Sequence, residues 1–203
     1  MKPDTTRLPL RERNKQRVTQ RIMDVAFALF RSNGYEQTTM EMIAEQAEVS
    51  RGTLFNYFPS KQALLLPFAN DLYVQHVQPQ ILSYLETRPS ILETFRFTFM
   101  SIHEHILTYP DITKALQWEL LHPQTYVDRI NLGAGFIGTL ITIIQSGQQW
   151  GEIRTDLSAK TLALYVGSLY ITLVQATIQQ ASETAYAVEI ESLLAFLRSA
   201  FQA

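Results

Sequence analysis

The chain has no cysteine in its 203 residues. That excludes a disulfide scaffold, a thiolate metal site, a cysteine nucleophile and a thiol redox switch. It also fits a cytoplasmic protein. Net charge of either sign is missing too: 17 Lys+Arg stand against 19 Asp+Glu, for a total of −2. The whole chain is therefore neither polybasic nor an acidic disordered polymer. It has no internal repeat and no low-complexity tract. Residues 1–10 are polar and carry Pro3 and Pro9, so no apolar signal segment is expected there. Two stretches, 130–151 and 161–182, run 22 residues each without a formal charge. Either could cross a bilayer by length alone. But the first holds five glycines and seven of Asn, Thr, Gln and Ser, and the second eight of Thr, Ser and Gln. Neither has basic flanks on one side only. Both are expected to be buried helices, with no membrane partner.

Catalytic signatures are equally scarce. There is no G-x-S-x-G motif and no phosphate-cradling Walker loop. The carboxylates are scattered. His103 and His105 stand two apart, about 200° around a helix, and cannot share a metal. No enzyme activity, cofactor or metal is expected. One pattern cuts against this. Gly133, Gly135 and Gly138 match the dinucleotide-binding G-x-G-x-x-G spacing, with Asp156 18 residues further on. That motif needs an apolar strand before it, and residues 126–131 do not read as one. The alternative function, a small α-helical enzyme or carrier binding a nucleotide or apolar ligand near Gly133 and Gly138, rests on this pattern.

What the chain does have is 46% apolar residues and enough length to bury a core unaided. Its charge is divided. Residues 1–61 carry 10 basic and 7 acidic side chains, net +3; residues 62–203 carry 7 and 12, net −5. A basic end on an acidic body points to an anionic partner at that end. The periodicity is helical throughout, so the fold class is all-α with about nine helices. Residues 1–10 read as a mobile basic arm. From residue 11, Val18, Ile22, Val25, Ala26, Leu29 and Phe30 form one apolar stripe. Asn33-Gly34 ends it, with glycine suited to a left-handed cap. Thr39 is a predicted N-cap for a short helix that turns Ile43, Ala44 and Ala47 inward. Ser50 caps a second short helix, Arg51 to Tyr57, and Phe58-Pro59 breaks it. Ser60 opens a longer helix from Lys61 to about Gln78. Further helices are expected at 89–108, 112–121, 124–149, 158–181 and 186–201.

The two short helices separated by Glu48-Val49-Ser50 form a helix-turn-helix. The second has a small inward face, Leu54, and an outward face of Arg51, Thr53, Asn56 and Tyr57. None of these is acidic, so the face can enter a DNA major groove without repelling phosphates. Thr38-Thr39-Met40, then residues 43–61 (IAEQAEVSRGTLFNYFPSK), then Leu64-Leu65, closely resemble the DNA-binding region of the TetR/AcrR family. Residues 147–157 (GQQWGEIRTDL) look like the turn that this family places between its seventh and eighth helices. The resemblance implies a helix-turn-helix DNA-binding domain at 11–61 and an effector-binding and dimerisation domain at 62–203. It implies that Thr39 and Ser50 cap helices, with Thr39 also touching phosphate. It implies that Arg51, Gly52 and Thr53 open the recognition helix, with Arg51 and Asn56 reading base edges. Tyr57 and Lys61 would contact phosphates. Phe55 stands where the family usually has tyrosine and lacks its hydroxyl. Glu48 stands where the family usually has glycine; if that position is left-handed, glutamate costs roughly 1 kcal/mol.

The same resemblance implies a ligand-responsive transcriptional repressor, released from a palindromic double-stranded DNA operator by an unidentified small hydrophobic or amphipathic effector. Candidate pocket residues are Phe95, Phe99, Met100, His103, Tyr109, Trp118, Glu119, Phe136 and Tyr170. A homodimer would form through the last two helices, with Leu162, Tyr165, Val166, Leu169 and Leu173 on one and Ile190, Leu193, Leu194, Leu197 and Phe201 on the other.

Overall fold

A computed structural model describes residues 9–107, 112, 115, 134–178 and 183–201. Most of the arm, most of the predicted helix 112–121, the first part of 124–149, and Tyr109, Trp118, Glu119 and Gly133 lie outside the described residues. Every regular element among the described residues is helical. These are α1 (Leu10–Asn33), α2 (Met40–Gln46), α3 (Arg51–Tyr57), α4 (Leu65–Leu72), α5 (Gln78–Glu86), α6 (Ile91–Leu107), α7 (Ala134–Trp150), α8 (Ala159–Ile178) and α9 (Glu183–Phe201). The chain divides into two compact units, Met1–Phe68 and Ala69–Ala203.

In the first unit the predicted stripe of α1 is buried at Ile22, Ala26, Leu29 and Phe30. Phe27, which lies off that stripe, is buried as well. Its ring packs 5.2 Å from Phe68, and Phe30 lies 5.3 Å from the same ring. Leu64 and Leu65 are fully buried beside them in sequence. This unit therefore extends seven residues past Lys61, because Phe68 completes its aromatic core. Gly34 has φ 84° and ψ 156°. That is not the left-handed helical cap, but it is still a region open essentially to glycine alone.

The helical stretch after Lys61 departs from the sequence reading. No helix break occurs near Pro79. A 3-10 turn, Gln62–Leu64, leads into α4, and a π-helical stretch, Tyr73–Val77, carries it into α5. Proline in a helix lacks an N–H and clashes with the carbonyl four residues back. The wider π turn just upstream accommodates both, and the rod continues to Glu86. Counting that rod as one, the described residues form eight helices.

α6 starts on a full capping box. Glu93 N–H donates to Ser90 Oγ at 3.3 Å, and Ser90 N–H donates to Glu93 Oε2 at 3.0 Å. α8 packs on α7 and α9, and α9 packs on α6. The turn at 147–157 ties these elements together. Gln148 Nε2 donates to the carbonyls of Arg154 and Leu157, both at 2.9 Å. The Glu152 carboxylate accepts from Ile91 N–H at 2.8 Å, and Arg154 N–H donates to Phe201 O at 2.9 Å. No described helix is long and apolar enough to cross a membrane.

Candidate nucleic-acid interface and aromatic interior

Two caps aim the helix-turn-helix. Thr39 Oγ1 accepts from Met42 N–H at 3.2 Å, which starts α2. Ser50 Oγ accepts from Thr53 N–H at 3.0 Å, which starts α3, and lies 2.8 Å from the Thr53 hydroxyl. Ile43, Ala44 and Ala47 of the first helix and Leu54 of the second are buried. The turn between them includes Glu48 at φ 54°. The condition raised in the sequence reading is thus met: the position is left-handed, and glutamate occupies it.

The outward face of α3 presents Arg51, Gly52, Phe55 and Asn56 to solvent, with Thr53 and Tyr57 half-buried. No described hydrogen bond engages the Asn56 amide or the Tyr57 hydroxyl. Gly52 has no reason inside the chain to be glycine. Its φ is not positive, and a Cβ added there would meet only Ser50 Oγ, at 4.0 Å. Arg51 is held by two neighbours. Its Nη2 lies 2.9 Å from Glu41 Oε1 on α2, and its guanidinium carbon 5.5 Å from the centre of the Phe55 ring.

Lys61 is placed differently from the phosphate-facing ammonium of the sequence reading. Its Nζ donates to Tyr35 O at 2.7 Å and Glu36 O at 3.2 Å, and stands 4.3 Å from the centre of the Tyr35 ring. Desolvation lowers its pKa, with Glu36 opposing. It fastens the α1–α2 connection. Glu41 and Tyr35 were absent from the sequence candidates, since an ion pair between helices and a lysine bound 26 residues away leave no local signal.

In the second unit the structure brings several predicted pocket residues together. Phe95 and Phe99 are fully buried. Phe99 stacks on Tyr170 with centroids 4.4 Å apart and planes within 11°. Phe136 lies 5.5 Å from Tyr170. Met100 packs against this core. His103 stacks on Tyr186, 3.7 Å between centroids and 9° between planes. Tyr186, Tyr73, Asn70 and Gln78 join the region unannounced by the sequence. Tyr186 donates to Phe99 O at 2.8 Å, which leaves Tyr170 to donate to Tyr186 Oη at 3.1 Å. Burial raises the pKa of Tyr73, Tyr170 and Tyr186, so all three stay protonated phenols.

Gly135 and Gly138 lie within α7 and no strand precedes them among the described residues. A Cβ at Gly135 would meet Val74 Cγ2 at 2.6 Å and Asn70 Oδ1 at 3.0 Å. Gly135 therefore serves close helix approach, while a Cβ at Gly138 would meet nothing within 4 Å. Among the described residues no group of three or more His, Asp or Glu could hold a metal.

The dimer candidates divide. Leu162, Val166, Ile190, Leu193, Leu194, Leu197 and Phe201 are buried in the chain's own core. They have no face left for a second copy. The correction has a simple cause. The strongest apolar stripe on a helix packs against its own chain first. Leu173 is half-buried, while Tyr165 and Leu169 are exposed at 59% and 40%. The other large exposed apolar residues of these helices are Val188 and Phe196, at 59% and 56%.

This arrangement is a helix-turn-helix unit followed in the chain by a helical body. The model for bacterial regulatory proteins of the tetR family matches residues 22–67. Residues 22–67 thus carry the pattern of the DNA-binding region of that family. It is 33% identical over 90 residues to the HTH-type transcriptional regulator YuxN of Bacillus subtilis (strain 168), covering 44% of this chain and 31% of that protein. It is 33% identical over 116 residues to YvkB of the same organism, covering 47% and 61%. The matches thus span less than two thirds of these relatives. Among solved structures, Thermus thermophilus FadR, a TetR family transcriptional repressor in complex with lauroyl-CoA, superposes with a TM-score of 0.68. It is 27% identical, covering 91% of this chain and 95% of that one.

Proposed function

We propose that this chain is a dimeric, ligand-responsive repressor that binds double-stranded DNA through α3. The observation that carries the reading is the capped α2–α3 pair, with Arg51, Phe55 and Asn56 exposed and Gly52 opening onto free space. Arginine reads guanine edges and asparagine adenine edges in the major groove. Gly52 lets a sugar–phosphate backbone come close. Thr39 and Tyr57 flank this face and would take phosphates. A second copy would dock on the exposed apolar residues of α8 and α9. Two-fold symmetry would then set two recognition helices about 34–36 Å apart, or a multiple of that, on a palindromic site.

The effector in this reading is hydrophobic or amphipathic and enters among Phe99, Phe136, Tyr170 and Tyr186. The aromatic, protonated lining supports an apolar chain. So does the lauroyl-CoA complex of Thermus thermophilus FadR, which makes acyl-CoA the first ligand to try. The nucleotide alternative has no such support. The test is a mobility shift on DNA upstream of the protein's own gene at increasing salt. Affinity is expected to fall steeply with salt, Arg51→Ala to abolish the shift, and lauroyl-CoA to release the DNA. Sequence-specific binding by Arg51→Ala overturns the assignment of α3. A ligand that binds free and DNA-bound protein equally cannot be the inducer.

A further inference from the structure

We infer that Glu41 is a positioning residue for the base-reading arginine, and that it sets sequence specificity without touching DNA. The inference rests on the DNA-binding reading of α3. Arg51 stands at the first position of α3 and its side chain is 70% exposed. An arginine so exposed would ordinarily sample many rotamers. Here two groups fix it. Glu41, on the first turn of α2, pairs its Oε1 with Arg51 Nη2 at 2.9 Å, and the Phe55 ring lies one helical turn along α3, 5.5 Å from the guanidinium carbon. At this exposure neither contact adds much stability. Their effect is geometric. A guanidinium has five N–H donors in a rigid fork. One edge engaged by Glu41 leaves the others free for a guanine.

The arrangement also accounts for two sequence features. A carboxylate beside a DNA-reading helix repels phosphate unless a cation neutralises it, and Glu41 has one. Phe55 has no hydroxyl to offer a phosphate, but a guanidinium needs only a ring face.

The test uses full-length protein and a duplex selected in vitro from random sequence, with a scrambled duplex of equal length as reference. Binding to both, and the preference at each base pair, are measured for wild type, Glu41→Gln, Glu41→Asp, Phe55→Leu and Arg51→Ala. Thermal melts confirm folding. Glu41→Gln is expected to lower the ratio of selected to scrambled affinity by about tenfold. Relaxation should fall on the same base pairs that Arg51→Ala relaxes. Glu41→Asp should recover part of the ratio, and Phe55→Leu should lose part of it. Glu41→Gln should do nothing further in the Arg51→Ala background. Equal tightening on both duplexes would mean that Glu41 only repels phosphate, and equal weakening that it only supports α2; either result overturns the proposal. If wild type selects no sequence at all, the DNA-binding reading itself fails, and the proposal with it.

Discussion

Glycine in an exposed helix normally costs stability, because its unfolded backbone has more freedom to lose. Gly52 accepts that cost on a surface with nothing packed against it. Gly52→Ala is therefore expected to stabilise the fold by about 0.5–1 kcal/mol, read by chemical denaturation. It should weaken DNA binding in the same preparation. A variant that gains stability and keeps full affinity would show that no DNA backbone approaches this position. Lys61 gives the opposite case. Its ammonium donates to two carbonyls of the α1–α2 connection, so Lys61→Met removes their donor while keeping the stem. Denaturation is expected to show a loss of about 1–2 kcal/mol. A residue contributing only a phosphate contact would leave stability unchanged and lower affinity alone.

At the level of helices and turns, the caps at Thr39 and Ser50 and the inward Ile43, Ala44 and Leu54 were legible because each is a local signal. Phe27 was not, because what covers it is Phe68, forty-one residues away. The rod through Pro79 was hidden because proline reads locally as a stop, and only an upstream change of winding reverses that. The seam of α8 and α9 was misassigned because periodicity shows which residues are buried but not what buries them. The turn at 147–157 yields a sharp expectation. A Cβ at Gly147 would lie 2.7–2.8 Å from side-chain carbons of Ile153 and Ile91. Gly147→Ala should overpack this junction and cost about 1–3 kcal/mol in thermal or denaturant unfolding.

Acid provides another lever on the same body. The pKa of His105 is lowered by burial and then by His76, whose ring lies 5.4 Å away. A base with a depressed folded pKa is protonated sooner in the unfolded chain. Stability is then intact above the ordinary histidine pKa of 6.5 and falls as pH drops below it. Below the folded pKa the loss levels off. Melting temperatures between pH 8 and pH 5 should show this decline, reduced in His105→Gln. An unchanged decline in that variant would assign it to other groups.

For the molecule as a whole, the net charge of −2 conceals two regions of opposite sign, +3 through Lys61 and −5 beyond it. In the DNA-binding reading, long-range attraction to DNA would act on the first alone, while the acidic remainder would discourage the body from settling on the same polyanion. The dimer expectation belongs at this scale too. If α8 and α9 meet a second copy through their exposed apolar residues, Leu169→Glu combined with Phe196→Glu should give a folded monomer in analytical ultracentrifugation. It should also lose cooperative binding to a two-half-site duplex. A dimer that survives both charges would place the interface elsewhere.

The π-helical stretch at Tyr73–Val77 has a consequence for how this chain is aligned with others. Leu72 is buried, His76 four residues on is exposed, and Val77 and Ile81 are buried again. The buried row has slipped by one residue, as a single insertion into an α-helix would make it do. A relative whose helix is α throughout would need a one-residue gap here. Without that gap, every position from Val77 to Glu86 would be compared with a neighbour about 100° around the helix, and inward residues would be matched to outward ones while the overall alignment still looked sound.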